Sequence, residues 1–164
     1  MKYIIPALML LVFLACKKTD NTKPPTDPNY VYNVHKDQLL NLINAQRIKG
    51  CTCGVDTMFP VPILTWNDTL AQSAFNHSDD MSRNLYFGFN SQDGSTPGDR
   101  IKKLGYDWAK YAENIASAYF TDSSVVDFWF SGTGNCKNLM GSDYKQFGAG
   151  SQNAIWTLDL ASHK

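Results

Sequence analysis

Glu113 is the residue on which a chemical reading of this 164-residue chain turns. It sits in Ala112-Glu113-Asn114-Ile115-Ala116-Ser117-Ala118, a run that otherwise reads as the edge of a buried core. A carboxylate is costly to bury unless something pairs with it, so Glu113 is either part of a working site or a structural anchor held by hydrogen bonds. General acid–base chemistry would require a second tuned group within reach. His77, beside Ser78 and Asp79, has the residue types of a triad. No Gly-x-Ser-x-Gly motif accompanies it, and it reads as a helix-face histidine with an ordinary hydrogen bond. Asn90 to Gly94 lacks the acidic spacing of a calcium loop and reads as a turn. The aromatics Tyr86, Phe87, Phe89, Tyr106, Trp108 and Tyr111 either line an apolar groove or pack in the core and cleft wall.

The N-terminus sets the compartment. Lys2 precedes an apolar run, Tyr3 to Ala15, shorter than the ~20 residues that cross a bilayer as a helix. Leu14-Ala15-Cys16 resembles the lipobox of bacterial lipoproteins, with Phe13 where that pattern usually has leucine. The resemblance implies a signal peptide over residues 1–15 and acylation of Cys16, whose two or three acyl chains would hold the protein on a membrane. The proline-rich stretch after Cys16 reads as a spacer, with a tether over 16–33 and one domain over 34–164. Loss of Lys2 with the leader leaves 14 of the 15 basic side chains against 15 acidic ones. That balance carries no footprint for nucleic acid.

Four helices and three strands must position the chemistry. Leu39, Leu40, Ile43 and Ile48 make a helix-spaced stripe over His35 to Lys49, closed by Gly50. Asn67 predicts an N-cap for a helix through Leu70, Ala71, Ala74, Phe75 and Met81, and Thr96-Pro97 opens a short helix that Gly105 ends. A further helix is expected over Ser123 to Phe130, apolar almost all round. Strands are expected over Glu113 to Tyr119, Gln146 to Gly150 and Ala154 to Leu160. This order predicts an α+β domain in layers.

Cys51 and Cys53 flank Thr52, and Cys136 lies far along the chain. Outside the cytoplasm a long-range bridge from Cys51 or Cys53 to Cys136 is the natural expectation, with a strained Cys51–Cys53 ring ranked below it. One cysteine then stays free or pairs elsewhere. A metal would need a fourth ligand such as His77 or His163, and neither has zinc spacing, so neither metal nor cofactor is expected.

Leu64-Thr65-Trp66-Asn67, Ala74-Phe75-Asn76-His77-Ser78-Asp79-Asp80-Met81, Asp93-Gly94-Ser95-Thr96-Pro97-Gly98-Asp99-Arg100-Ile101, Ala112-Glu113-Asn114-Ile115-Ala116, Trp129, Asn138-Leu139-Met140 and Trp156 together resemble bacterial members of the CAP superfamily. That superfamily includes the cysteine-rich secretory, antigen 5 and pathogenesis-related proteins. The resemblance implies an α-β-α sandwich with a cleft, an extracellular setting, and in full-site members two histidines and two glutamates able to hold a divalent metal. Glu113 matches the glutamate of the family's Gly-Glu-Asn motif, with Ala112 for its glycine. The first histidine's slot falls on Phe89, or on Asn90 with a one-residue slip, and the second on Asn135; the second glutamate's falls near Gly132.

The resemblance therefore implies a degenerate cleft of Glu113, Asn114, Phe89, Asn90 and Asn135, unable to hold zinc or to run acid–base chemistry. The leading expectation is a monomeric, lipid-anchored extracytoplasmic binding module whose cleft takes a lipid, peptide, glycan or protein. The alternatives are a hydrolase using Glu113 and a purely structural envelope protein.

Overall fold

The computed structural model describes residues 28–164. The expected leader, the acylation position Cys16 and most of the tether lie outside the described residues.

The domain starts earlier than residue 34. Strands β1 (Tyr30–Val31) and β2 (Val34–His35) form a small antiparallel hairpin. Asn33 fastens it by donating from Nδ2 to the Ser151 carbonyl, and Ser151 N–H donates to the Tyr32 carbonyl. These bonds fold the end of the expected tether onto the domain.

Helix α1 (Lys36–Lys49) buries Leu39, Ile43 and Arg47, a spacing of four that keeps one face inward. Ile48, expected on that stripe, is turned out, and Arg47 takes the inner position. Its guanidinium donates to the carbonyls of Pro62, Leu139 and Gly141, which satisfies the end of a distant helix. Burial lowers its pKa to about 10, still charged at neutral pH.

The next segment is a hairpin of β3 (Cys51–Cys53) and β4 (Asp56–Met58), followed by β5 (Thr65–Trp66). Helix α2 (Asp68–Asn84) starts where Asn67 caps it, Oδ1 accepting from Leu70 N–H at 3.1 Å. Helix α3 (Pro97–Lys103) opens on a reciprocal capping box between Thr96 and Asp99 with proline at its start. Then come β6 (Trp108–Ser117), α4 (Asp122–Ser131), α5 (Thr133–Leu139), β7 (Gln146–Gln152) and β8 (Ile155–His163). Strand β6 begins five residues before the expected start, because nearly its whole length pairs with β8.

The sheet runs in the order β5-β7-β8-β6, with β5 parallel to β7 and the other neighbours antiparallel. On one face Phe147, Ala149, Trp156, Leu158 and Leu160 pack with α1 and α4 around Trp129. On the other, Ala161 packs with Leu70 of α2 and Ile101 of α3. The result is the expected three-layer α-β-α sandwich. Gly148 and Gly150 make the second interface close: a Cβ on Gly148 would stand 2.0 Å from Ala71 N, and one on Gly150 2.5 Å from Phe75 Cα. Two residues apart on one strand, they face the same helix.

Cys53 and Cys136 form the disulfide, 83 residues apart, and it ties the β3–β4 hairpin to α5. Among the described residues Cys51 is the free thiol. In the chain-entropy description a bridge over so long a loop stabilises by about 4 kcal/mol. Denaturant unfolding of Cys136→Ala should show a loss of that order, and an unchanged midpoint would mean the bridge contributes little.

Candidate functional site

The register that pairs β6 with β8 sets Glu113 directly opposite Asp159. Both carboxyls point toward α2 and α3, since alternate residues of a strand face alternate sides. Helix α2 presents Ser73 and His77, one turn apart, to the same region, and α3 presents Arg100. Arg100 Nη2 donates to Glu113 Oε2 at 2.7 Å. Its Nη1 donates to Ser91 Oγ and to the Ser95 carbonyl, both at 3.2 Å. One guanidinium thus joins α3, the 91–95 loop and the sheet. That loop is pre-shaped by Asp93, whose Oδ1 accepts from Ser95 N–H and Oγ–H.

His77 is buried, with Nε2 2.9 Å from the Gly88 carbonyl and 3.7 Å from Glu113 Oε1. A carbonyl can only accept, so the ring proton lies on Nε2 and Nδ1 carries the lone pair. Nδ1 has no partner, and burial together with the Arg100 charge depresses the His77 pKa to about 4. His77 is neutral at physiological pH.

Glu113 Oε1 and both Asp159 oxygens are buried acceptors without a donor. A proton on Glu113, donated to Asp159, is the donor this arrangement calls for, with the Ser73 hydroxyl as a second donor to Asp159. Burial first, and the charge of Asp159 second, push Glu113 well above the usual carboxylate range; Arg100 acts the other way and does not prevail. Burial likewise pushes Asp159 up to about 6. With one shared proton the pair carries one negative charge, which balances Arg100. The buried cluster is then neutral overall, as burial demands.

Two opposite pH dependences follow. Asp159 binds its proton more tightly folded than at its ordinary 3.8, so its contribution is complete below that value and disappears as pH rises through about 6. His77 binds its proton less tightly than at its ordinary 6.5, so its contribution is complete above that value and is lost as pH falls toward about 4. Removing the histidine should expose the other trend. The stability of His77→Gln relative to wild type should rise by on the order of 2–3 kcal/mol from pH 6.5 to pH 4. Urea titrations at several pH values measure it, and a constant difference would place a protonated His77 in the folded state.

A cavity of about 590 Å³ lies between α2, α3 and the 91–95 loop. Ser73, His77 and Arg100 lie along its wall, with Asn76, Gln92 and Lys103 among the polar groups nearer solvent. Glu113 does not line it, and its side chain is 1% exposed.

The residues expected in the cleft divide. Glu113 is beside the cavity, behind Arg100. Asn114, one position on, faces the opposite side of β6, where its Nδ2 donates to the Asn135 carbonyl at 3.1 Å and its Oδ1 accepts from Asn138. Asn114 and Asn135 therefore tie the sheet to α5 and do not meet the Glu113 carboxyl. Phe89 and Asn90 are exposed and do not line the cavity; the preceding Gly88 contributes its carbonyl to His77. None of the six aromatics lines it either. Tyr106 is core, Trp108 and Tyr111 close over Gly98, Phe87 is exposed, and the Tyr86 hydroxyl donates to Asp80. His77, read from sequence as an ordinary helix-face residue, is the histidine beside Glu113. Asp159, Arg100 and Ser73 were not singled out. Asp159 had a signal: it is the lone charge in the apolar run Ile155–Leu160, as Glu113 is the lone carboxylate in Trp108–Ser117.

Residues 40–154 match the family model described as "Cysteine-rich secretory protein family", CAP. An uncharacterized membrane protein of Bacillus subtilis, YlbC, is 30% identical over 130 residues, covering 79% of this chain. The chain spans 35% of that relative's length. Among solved structures, an extracellular SCP-domain protein of Bacillus anthracis superposes with a TM-score of 0.70 at 24% identity, over 87% of this chain and 45% of its own. An outer surface protein of Borrelia burgdorferi gives 0.66 at 20% identity, over 78% and 92%. Both structures share the fold.

Proposed function

From the premise that the chain belongs to the cysteine-rich secretory protein (CAP) family, we propose that it is an envelope-tethered binding module that captures a polar ligand without transforming it. The observation that carries this reading is the position of Glu113, buried behind Arg100, whose guanidinium already matches the single charge of the Glu113–Asp159 pair. A ligand in the cavity meets Arg100 before it can meet the carboxyl. General acid–base work by Glu113 would need its carboxyl oxygen within hydrogen-bond distance of the ligand.

The wall favours a glycan or peptide over an acyl chain. Asn76, Ser91, Gln92 and Ser95 offer both donors and acceptors, and the cations Arg100 and Lys103 stand on the same wall as the carboxylates Asp80, Asp93 and Asp99. Acylation of Cys16 would place this cavity within a short tether of the membrane, in keeping with the membrane and extracellular descriptions of the relatives. The test is capture of glycan and peptide fragments from a solubilised cell-envelope extract by the purified protein. The reading expects retention that Gln92→Ala and Lys103→Ala weaken, with fragments eluting at their original masses. Fragments eluting shorter than they were loaded would support a hydrolase, and no retention above that of the double variant would support a structural envelope protein.

A further inference from the structure

A third sulfur lies beside the Cys53–Cys136 disulfide. Cys51 Sγ is 3.7 Å from Cys136 Sγ and 4.0 Å from Cys53 Sγ. The extended backbone of β3 explains it: residues two apart project to the same side, and α5 brings Cys136 to that side. Cys53 and Cys136 are buried and Cys51 is partly exposed. Among the described residues these three form the one group of histidine, cysteine or carboxylate ligands that converges, with all ligand atoms within 4.8 Å.

This arrangement is poorly suited to disulfide exchange. Exchange requires a thiolate approaching along the sulfur–sulfur axis, whereas the near-equal distances set Cys51 at the side of the bond. Burial also pushes the Cys51 thiol up, which keeps it protonated. The spacing fits coordination instead. With metal–sulfur bonds of about 2.3 Å, thiolates around one tetrahedral or trigonal ion lie roughly 3.8–4.0 Å apart.

We propose that reduction of the Cys53–Cys136 bond converts this cluster into a three-thiolate site for one soft cation, of the Zn²⁺, Cd²⁺ or Cu(I) class. A dithiol reductant supplies two electrons and two protons, becoming a disulfide itself while Cys53 and Cys136 become thiols. The cation then displaces the three thiol protons to solvent and gains three sulfur bonds. Two of the three sulfur separations are set before reduction, so only Cys53 and Cys136 need to part. Met58, Met140 and Phe130 pack around the sulfurs, surroundings that favour a soft ion over magnesium or calcium. The partly exposed Cys51 gives the entry side. Disulfide and metal exclude each other, because both use the same two sulfurs.

The test uses the full chain carrying Cys16→Ser, so that no fourth thiol contributes. It is reduced with a phosphine under argon and titrated with Cd²⁺, following thiolate-to-cadmium charge-transfer absorption, with near-ultraviolet circular dichroism reporting the fold. The proposal expects one Cd²⁺ per reduced chain, a raised unfolding temperature in its presence, and no such band in the oxidised protein. Cys51→Ser, which leaves the disulfide partners intact, should weaken binding by more than about 100-fold, beyond what loss of a supporting residue costs. Absence of the band in the reduced chain would overturn the proposal, as would equal affinity of Cys51→Ser. Equal affinity of the wild type in denaturing urea would also overturn it, since the fold would then contribute nothing to the site.

Discussion

Arg100→Leu is expected to destabilise the domain by about 3–5 kcal/mol, the usual cost of removing one partner from a buried ion pair. The substitution leaves Glu113 and Asp159 in a site where their side chains reach almost no solvent, and it releases the 91–95 loop from Ser91 and Ser95. The pair must then take up a second proton or open the sheet. Arg100→Leu combined with Asp159→Asn should therefore recover a large part of the loss, because Glu113 keeps its proton and donates it to the asparagine oxygen, which leaves the cluster neutral without a second proton. Denaturant midpoints of wild type, the two single variants and the double variant complete the cycle. Additive losses would show that Arg100 and Asp159 are not coupled.

Gly148→Ala is the second large effect. The added methyl would stand 2.0 Å from Ala71 N and 2.6 Å from Ala71 Cα, both main-chain atoms that no rotamer change can move aside. Helix α2 must retreat from the sheet, and the expected cost is on the order of 4 kcal/mol, at the upper end for overpacking. The retreat carries Ser73 and His77 with it, so the cavity wall should lose its shape along with the stability. Gly134→Ala is the contrast. An added Cβ there meets nothing within 4 Å, and alanine in α5 should be neutral or stabilising by up to about 1 kcal/mol. Thermal unfolding of the two variants separates close approach from a general intolerance of glycine replacement.

The legible parts of the fold were those written in local chemistry. Asn67 and Thr96-Pro97 mark helix starts because capping and proline's fixed φ act within one turn. Helix α5 carried no such signal: it is seven residues long, contains Gly134, and follows Gly132 without a side-chain cap. Arg47 and Ile48 exchanged their expected places because three carbonyls, distant in sequence, await a buried donor at Arg47.

The site was legible at Glu113 and not in its partners. Its partners come from three elements, α2, α3 and β8, and their convergence is decided by the β6–β8 register and by the close packing of α2 on β7. Aligning the histidine slots of the resembled family pointed to Phe89 and Asn135. Phe89 is turned to solvent, and Asn135 belongs to the opposite layer with Asn114. The histidine that does lie beside Glu113 comes from the middle of α2. No spacing rule links His77 to a residue 36 positions later in another layer of the fold.

The central claim is that Glu113 supports the cavity and performs no chemistry in it. Glu113→Gln tests this directly, because a glutamine oxygen can still accept from Arg100 while its amide donates to Asp159, replacing the shared proton by a fixed N–H. The measurement is calorimetric titration of wild type and Glu113→Gln with a fragment captured from the envelope extract, with the recovered fragment weighed afterwards. The account predicts affinities within about twofold of each other, corresponding to less than about 0.5 kcal/mol, and an unchanged fragment mass with both proteins. A fragment that wild type shortens and Glu113→Gln leaves whole would contradict it.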